Sequence, residues 1–420
     1  MSVTSARRKV DRIQGPQRHH EVIAFKPAGW ESRSLPAAFR SAIVAGIMNH
    51  HHLHEVSDGP VAEEFARLAD ALDRLPNGYP RTATGIELLI LKKIFSQEEA
   101  ALGCVMGAQP EPFAVIAARA GRPAADARRM LVAMAKKGLV WPSKEAGKLL
   151  FRLAPFIVGI YESSLPVIDH ELAHLVEDYM SQGGAAGIMK PQPALHRVVP
   201  AQGSAKTEWI LPYDDVKRII LEAKAFQVHD CICRVERGLL GTRECDAPVH
   251  NCLIFSATER PPGPDDITQD QALAILDDAE KVGLVHTVSN FIKGVSYVCN
   301  CCGCCCGVLR GVTEYGIKES VARANYLASI DPSLCNGCGI CAERCQIGAI
   351  AERDGAYAVK AEACIGCGLC VTGCALEAAT LARRADAEEV LPPADFDAWQ
   401  KARLKNRGLS ADAAPMNPAE

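Results

Sequence analysis

Two stretches near the end of the chain, CNGCGICAERCQIGAI and CIGCGLCVTGCALEAA, carry the same cysteine pattern, C-x2-C-x2-C-x3-C. Every thiol recurs at an offset of 29 residues: Cys335 with Cys364, Cys338 with Cys367, Cys341 with Cys370, and Cys345 with Cys374. Ile340 and Leu369 fall in the same register, as do several glycines, which marks an internal repeat. Three thiolates on so tight an arc can grip one iron–sulfur cubane from a single loop, and the fourth thiolate has to come from elsewhere. A pair of zinc sites is the competing occupant, but zinc knuckles do not demand this spacing twice. Iron–sulfur clusters held by thiolates do one-electron chemistry.

With those residues in view, the segment from about 328 to 382 resembles the bacterial two-[4Fe-4S] ferredoxin module. The resemblance implies that each repeat lends its fourth cysteine to the other. One cluster would then be held by Cys335, Cys338, Cys341 and Cys374, and the other by Cys364, Cys367, Cys370 and Cys345. Two cubanes on one small pseudo-symmetric module form a relay. The family usually places Pro after the fourth cysteine, whereas this chain has Gln346 and Ala375. The loop exits depart from the family there, which puts the cluster potentials in question.

The repeats account for eight of the 19 cysteines. Cys104, alone in GCVMG, reads as a buried small hydrophobe. Ten remain in two groups: Cys231, Cys233, Cys245 and Cys252, and then CNCCGCCC, which supplies Cys299, Cys301, Cys302, Cys304, Cys305 and Cys306. The spacing C-x-C-x11-C-x6-C can supply a full tetrahedral set. In an extended backbone neighbouring side chains point to opposite faces, so Cys302, Cys304 and Cys306 would share one face and Cys299 and Cys301 another. We expect at least one further metal centre shared between the two groups. A third iron–sulfur cluster is the first choice; zinc or a redox-active dithiol are the alternatives. Arg234 would favour thiolate over thiol, and His229, His250 and His286 are nearby candidate ligands. The chain from about 80 to 382 also resembles 4Fe-4S-binding proteins of bacterial and archaeal anaerobic metabolism, which implies electron transfer but names no substrate.

These thiols need elements to position them. Between the two middle groups Thr268 and Gln271 predict a capping box, Leu273, Leu276 and Ala279 an apolar helix face, and Gly283 a C-cap. GLVHTVSN reads as a strand leaving that helix. Upstream, Val115, Ile116 and Ala118 suit a short helix and Gly121-Arg122-Pro123 a turn. Ala124 to Lys137 suits a second helix with Met130, Leu131 and Met134 inward, and GLVWPSKEAGKLLFRL a β-wing. This resembles a winged helix-turn-helix. Arg128, Arg129, Lys136, Lys137, Lys144 and Lys148 outnumber Asp126 and Glu145 there, as phosphate contact requires, although docking of a protein partner is the first choice.

His170-Glu171-Leu172-Ala173-His174 matches the HExxH of zinc hydrolases, but the HxxGxxH continuation is absent and nothing positions a third ligand such as Glu208. Asn49 to His54 is a histidine-rich tract able to bind a divalent ion or to serve as a plain surface tip.

The fold class expected is α+β and multidomain. We place an N-terminal segment at 1–80, a winged-helix-like domain at 81–162, a helix and linker at 163–206, a Cys-rich α/β metal-binding domain at 207–310, the ferredoxin-like domain at 311–382, and a tail at 383–420. Net charge is −4, which disfavours a general nucleic-acid binder. Arg7-Arg8-Lys9 is not followed by an apolar stretch, so no export signal is expected, nor is a membrane span. A cytoplasmic, reducing location makes clustered cysteines metal ligands rather than disulfides. The reading is an electron-transfer protein with two [4Fe-4S] clusters that serves a redox partner protein; if enzymatic, it is an oxidoreductase component. A redox-responsive DNA-binding regulator is the alternative. No Gly-rich dinucleotide fingerprint is present.

Overall fold

The computed structural model describes residues 61–204, 210–385 and 389–410. The histidine tract at 49–54, the basic Arg7-Arg8-Lys9 and Glu208 lie outside those residues.

Helices Glu63–Asp73, Ile86–Ile94 and Gln97–Gly103 open the described chain. The third begins at a capping box, with Ser96 and Glu99 satisfying each other's backbone N–H groups. Next come helices Phe113–Arg119 and Ala124–Lys136 and a hairpin of Val140–Glu145 with Lys148–Leu153. Strand Glu111–Pro112 completes a small sheet on the far side of Lys148–Leu153. The hairpin turns through Ala146 and Gly147, both at positive φ, which matches the twist of the strands it joins. In the second helix Ala127, Leu131 and Met134 are buried, whereas Met130 is only half-buried. These elements share one apolar core with Ile90, Phe156 and Tyr179 and with Trp399 of the C-terminal helix Phe396–Asn406.

A seven-stranded sheet follows. From one edge to the other its strands are Val321–Ala322, His196–Val199, Val285–Ser289, Tyr297–Cys301, His250–Ser256, Ala225–Asp230 and Asp266–Ile267. All pairings are antiparallel except that of Val321–Ala322 with His196–Val199. Helix Gln269–Lys281 starts at the expected Thr268/Gln271 capping box, and Gly283 follows it at positive φ. Its Ala272 and Leu276 join Val216 and Ile220 over Phe226, Val228, Leu253 and Val298 of the sheet. The expected exit strand is Val285–Ser289. The sheet, rather than the helix, brings the cysteine groups together: strand Tyr297–Cys301 lies beside His250–Ser256 and carries Cys299 and Cys301 toward Cys252.

The cysteine repeats fold as two pseudo-equivalent halves. Strand Tyr326–Ile330 pairs with Ala379–Arg383, and Ile350–Arg353 with Ala356–Val359. Each cysteine arc ends in a helical turn, Ile340–Glu343 or Leu369–Thr372. Gly337 and Gly366 occupy matching positions at positive φ, and a Cβ there would come within 2.7 Å of the Gly355 carbonyl oxygen or 2.4 Å of that of Tyr326. The repeated glycines are therefore a requirement of the arc itself.

Candidate metal centres

In the C-terminal half, Cys345 of the first repeat meets Cys364, Cys367 and Cys370 of the second around one cavity, walled by Ala328, Ile347, Ile350, Val359, Ile365 and Leu369. This grouping crosses the two repeats. Burial pushes the Cys367 thiol well up and the Cys370 thiol up to about 12, with the neighbouring thiols adding to it. Backbone N–H groups of Ala349 and Leu369 point at the sulfurs of Cys345 and Cys367, the former at 3.2 Å. Such donors stabilise thiolate and tune a cluster bound to it. In the first repeat burial raises the Cys341 thiol, and the neighbouring Cys335 and Cys338 add to it. Cys338 is exposed and Cys335 half-buried, so this arc faces solvent whereas Cys364 and Cys370 lie inside. Cys374 is half-buried, just beyond the helical turn Leu369–Thr372.

The middle cysteines divide. Tyr297–Cys301 is a strand, but residues 303–305 form a turn and Cys306 caps helix Gly307–Thr313. Strict alternation therefore fails after Cys301, and Cys306 does not stay with Cys302 and Cys304. Cys302, Cys304 and Cys305 instead gather around Cys245, their four sulfurs all within 4.8 Å of one another. The other six thiols form a chain of side-chain interactions running Cys252, Cys299, Cys301, Cys306, Cys233, Cys231. The middle thiols thus form two adjoining groups, and the first joins Cys245 of one sequence group to Cys302, Cys304 and Cys305 of the other.

Helix starts serve the second group. Cys231 stands at the N-cap of helix Ile232–Leu239, and the nearby backbone N–H groups of Arg234, Gly307 and Leu309 favour the thiolates of Cys231, Cys233 and Cys306 against the effect of burial. Each group holds one thiol well below its ordinary range. Hydrogen bonds from Cys299 and Cys306 bring Cys301 down to about 5. A hydrogen bond from Cys305, aided by Arg234, brings Cys302 down to about 4 against the effect of burial.

The two halves of the site touch. Gln346, where the ferredoxin family has Pro, accepts the Gly303 N–H through Oε1 at 2.7 Å and donates through Nε2 to the Gly283 carbonyl at 2.8 Å. A proline could make neither bond. Arg344 donates to the carbonyls of Glu280, Lys281 and Leu369 at 2.7, 3.0 and 2.8 Å. Cys301 and Cys306 lie in the same apolar core as Cys364, Cys370, Ile365 and Leu369.

A family model described as the 4Fe-4S dicluster domain matches residues 327–375. The repeats are an iron–sulfur, ferredoxin-type module. No curated protein and no solved structure matches the chain.

Other candidates separate from these centres. His286 is buried with both ring nitrogens engaged, Nδ1 with Asn300 at 2.7 Å and Nε2 with Glu280 at 3.1 Å, so it braces the strands and is not free to ligate. His250 pairs with Asp230 at the surface, and His229 lies opposite Cys252 in the strand register. In the HExxH helix His170–Tyr179 the two imidazoles stack edge to face at 4.5 Å, and Glu171 is paired with Lys93. Among the described residues, neither histidine joins a third candidate ligand. Cys104 is buried in the helical core and donates to the Ala101 carbonyl. No helix of the described residues is long and apolar enough to cross a membrane. The bracing by Arg344, Gln346 and the Asn300–His286–Glu280 network was not legible from the sequence, because each role depends on a contact across the fold.

Proposed function

We propose that this protein transfers electrons one at a time through two [4Fe-4S] clusters, with a further thiolate-held centre inward of them. Cys335, Cys338, Cys341 and Cys374 would hold the outer cluster, and Cys364, Cys367, Cys370 and Cys345 the inner one. The observation that carries the reading is the cavity that joins Cys345 to Cys364, Cys367 and Cys370 within residues matched as a dicluster domain.

The chain's own residues supply a direction. The outer arc, with Cys338 exposed, faces a partner protein, while Cys364 and Cys370 are shielded. From the inner group the path runs through Cys345 and Gln346 to the CNCCGCCC turn, then to Cys301, Cys306 and Cys233. The N–H donors and helix starts around Cys231, Cys233 and Cys306 suit a third iron–sulfur centre, to which Cys252 and Cys299 are adjacent. The electron donor or acceptor would be a partner oxidoreductase docking at the exposed arc.

The test is a pair of variants read by EPR after anaerobic dithionite reduction. Cys367→Ala should abolish one of the two reduced [4Fe-4S] signals and Cys338→Ala the other. A protein whose reduced spectrum is unchanged by both substitutions would not use these arcs.

A further inference from the structure

Beyond the relay, we propose that Cys245, Cys302, Cys304 and Cys305 hold a single tetrahedral zinc ion, distinct from every iron–sulfur centre. The separations decide between a single ion and a cluster. Sulfurs of Cys245 and Cys302 are 3.6 Å apart, those of Cys245 and Cys305 3.9 Å, and those of Cys304 and Cys305 3.6 Å. Four sulfurs at a zinc–sulfur distance of ~2.3 Å around one ion lie about 3.8 Å from each other. A cubane instead spreads its four thiolates over four different irons, which keeps them further apart. Among the described residues, no three of the other cysteines draw together as closely as this set, the ferredoxin arcs included.

The surroundings are those of a closed structural site. The thiols are packed by Ala247, Ala279 and Leu284, and Cys302 and Cys305 are buried. Arg243 fixes the incoming loop by donating to the carbonyls of Cys245 and Ala247. Four protein thiolates complete a tetrahedron and leave no position for substrate, the pattern of structural zinc.

Charge supplies a second, independent observation. Arg234 is 1% exposed, yet its partners are the Pro248 and Asn300 carbonyls and the Asn251 amide oxygen, all neutral. Its Nε is buried without a partner. The groups that face it are the thiols of Cys231, Cys302, Cys301 and Cys245. A buried guanidinium requires nearby negative charge. Four thiolates on a dication retain net negative charge and provide it. The ion would also fix the turn that presents Gly303 to Gln346 and directs Cys301 and Cys306 to the other face.

The full chain, produced anaerobically with zinc and iron both supplied, should contain about one zinc per chain by mass spectrometry. The double variant Cys302→Ala/Cys305→Ala should lose that zinc and keep the ferredoxin EPR signals, and Cys245→His should retain zinc. Absence of zinc from the unmutated chain, or loss of about four irons with zinc unchanged in the double variant, would overturn the proposal. Should the double variant not fold, cobalt exchange into the unmutated chain decides. Intense thiolate-to-cobalt charge-transfer bands with tetrahedral d–d absorption are expected, and their absence overturns the site. An unmutated chain with zinc but no reducible clusters would defeat the electron-transfer reading and leave this one standing.

Discussion

Arg234 and Glu236 occupy one helix beside the thiols and show how buried charge is managed there. Arg234 is held by thiolate charge, so Arg234→Met should lower the metal content of the middle region while the ferredoxin signals persist; unchanged metal content would show the charge is balanced elsewhere. Glu236 is pushed up to about 7 by burial, against the hydrogen bond from Tyr161. A carboxyl whose folded pKa lies above its unfolded value stabilises the fold fully at low pH and ceases to do so as pH rises through the folded value. Chemical denaturation should therefore show stability falling between about pH 4.5 and pH 7, by up to roughly 3 kcal/mol from this group. Glu236→Gln should flatten that slope; an unaltered slope would assign it to other groups. At this scale the sequence told most where spacing alone dictates chemistry. The 2-2-3 repeats placed eight cysteines in two arcs without any knowledge of the fold. The division of the ten middle thiols was not legible, because it depends on where strand Tyr297–Cys301 gives way to a turn.

Elements decide how the two thiol regions meet. The turn at residues 303–305 packs so closely on the ferredoxin module that a Cβ on Gly303 would lie 2.0 Å from the Gln346 carbonyl oxygen. Gly303→Ala should cost roughly 1–3 kcal/mol, the range for overpacking a tight contact, and loosen the module from the sheet. Thermal denaturation checks this, and a melting temperature equal to that of the unmutated chain would contradict the contact. The two helices and hairpin of residues 111–153 are a separate matter. Arg128, Lys136, Lys144 and Lys148 are exposed, but Arg129 is paired with Asp126 and Lys137 with Glu99, which leaves less free charge than the sequence implied. A gel shift with genomic DNA fragments at low salt should show no retardation in either redox state; retardation in one state alone would revive the regulator. The capping box at Thr268 and the strand after Gly283 followed from local signals. The seven-strand order did not, since it joins segments far apart in sequence.

Across the described residues, helix Phe396–Asn406 ties Pro76 to the segment 188–194. Its Arg403 is fully buried and donates to the carbonyls of Pro76, Ile188, Pro191 and Pro193, while Trp399 donates to that of Ala194 at 3.0 Å. The tail yielded no reading in the sequence, because a basic side chain in FDAWQKARLKN looks solvent-facing until its carbonyl cage is seen. The central claim, that the chain is an iron–sulfur electron carrier, is tested most directly by one measurement. It is a reductive titration of the anaerobically purified chain, followed by EPR with iron and sulfide analysis on the same sample. About eight irons are expected in the ferredoxin-type module, up to about four more at the Cys231–Cys306 group, with stepwise uptake of single electrons. A protein that carries zinc alone in the repeats, or takes up no electrons, would contradict it.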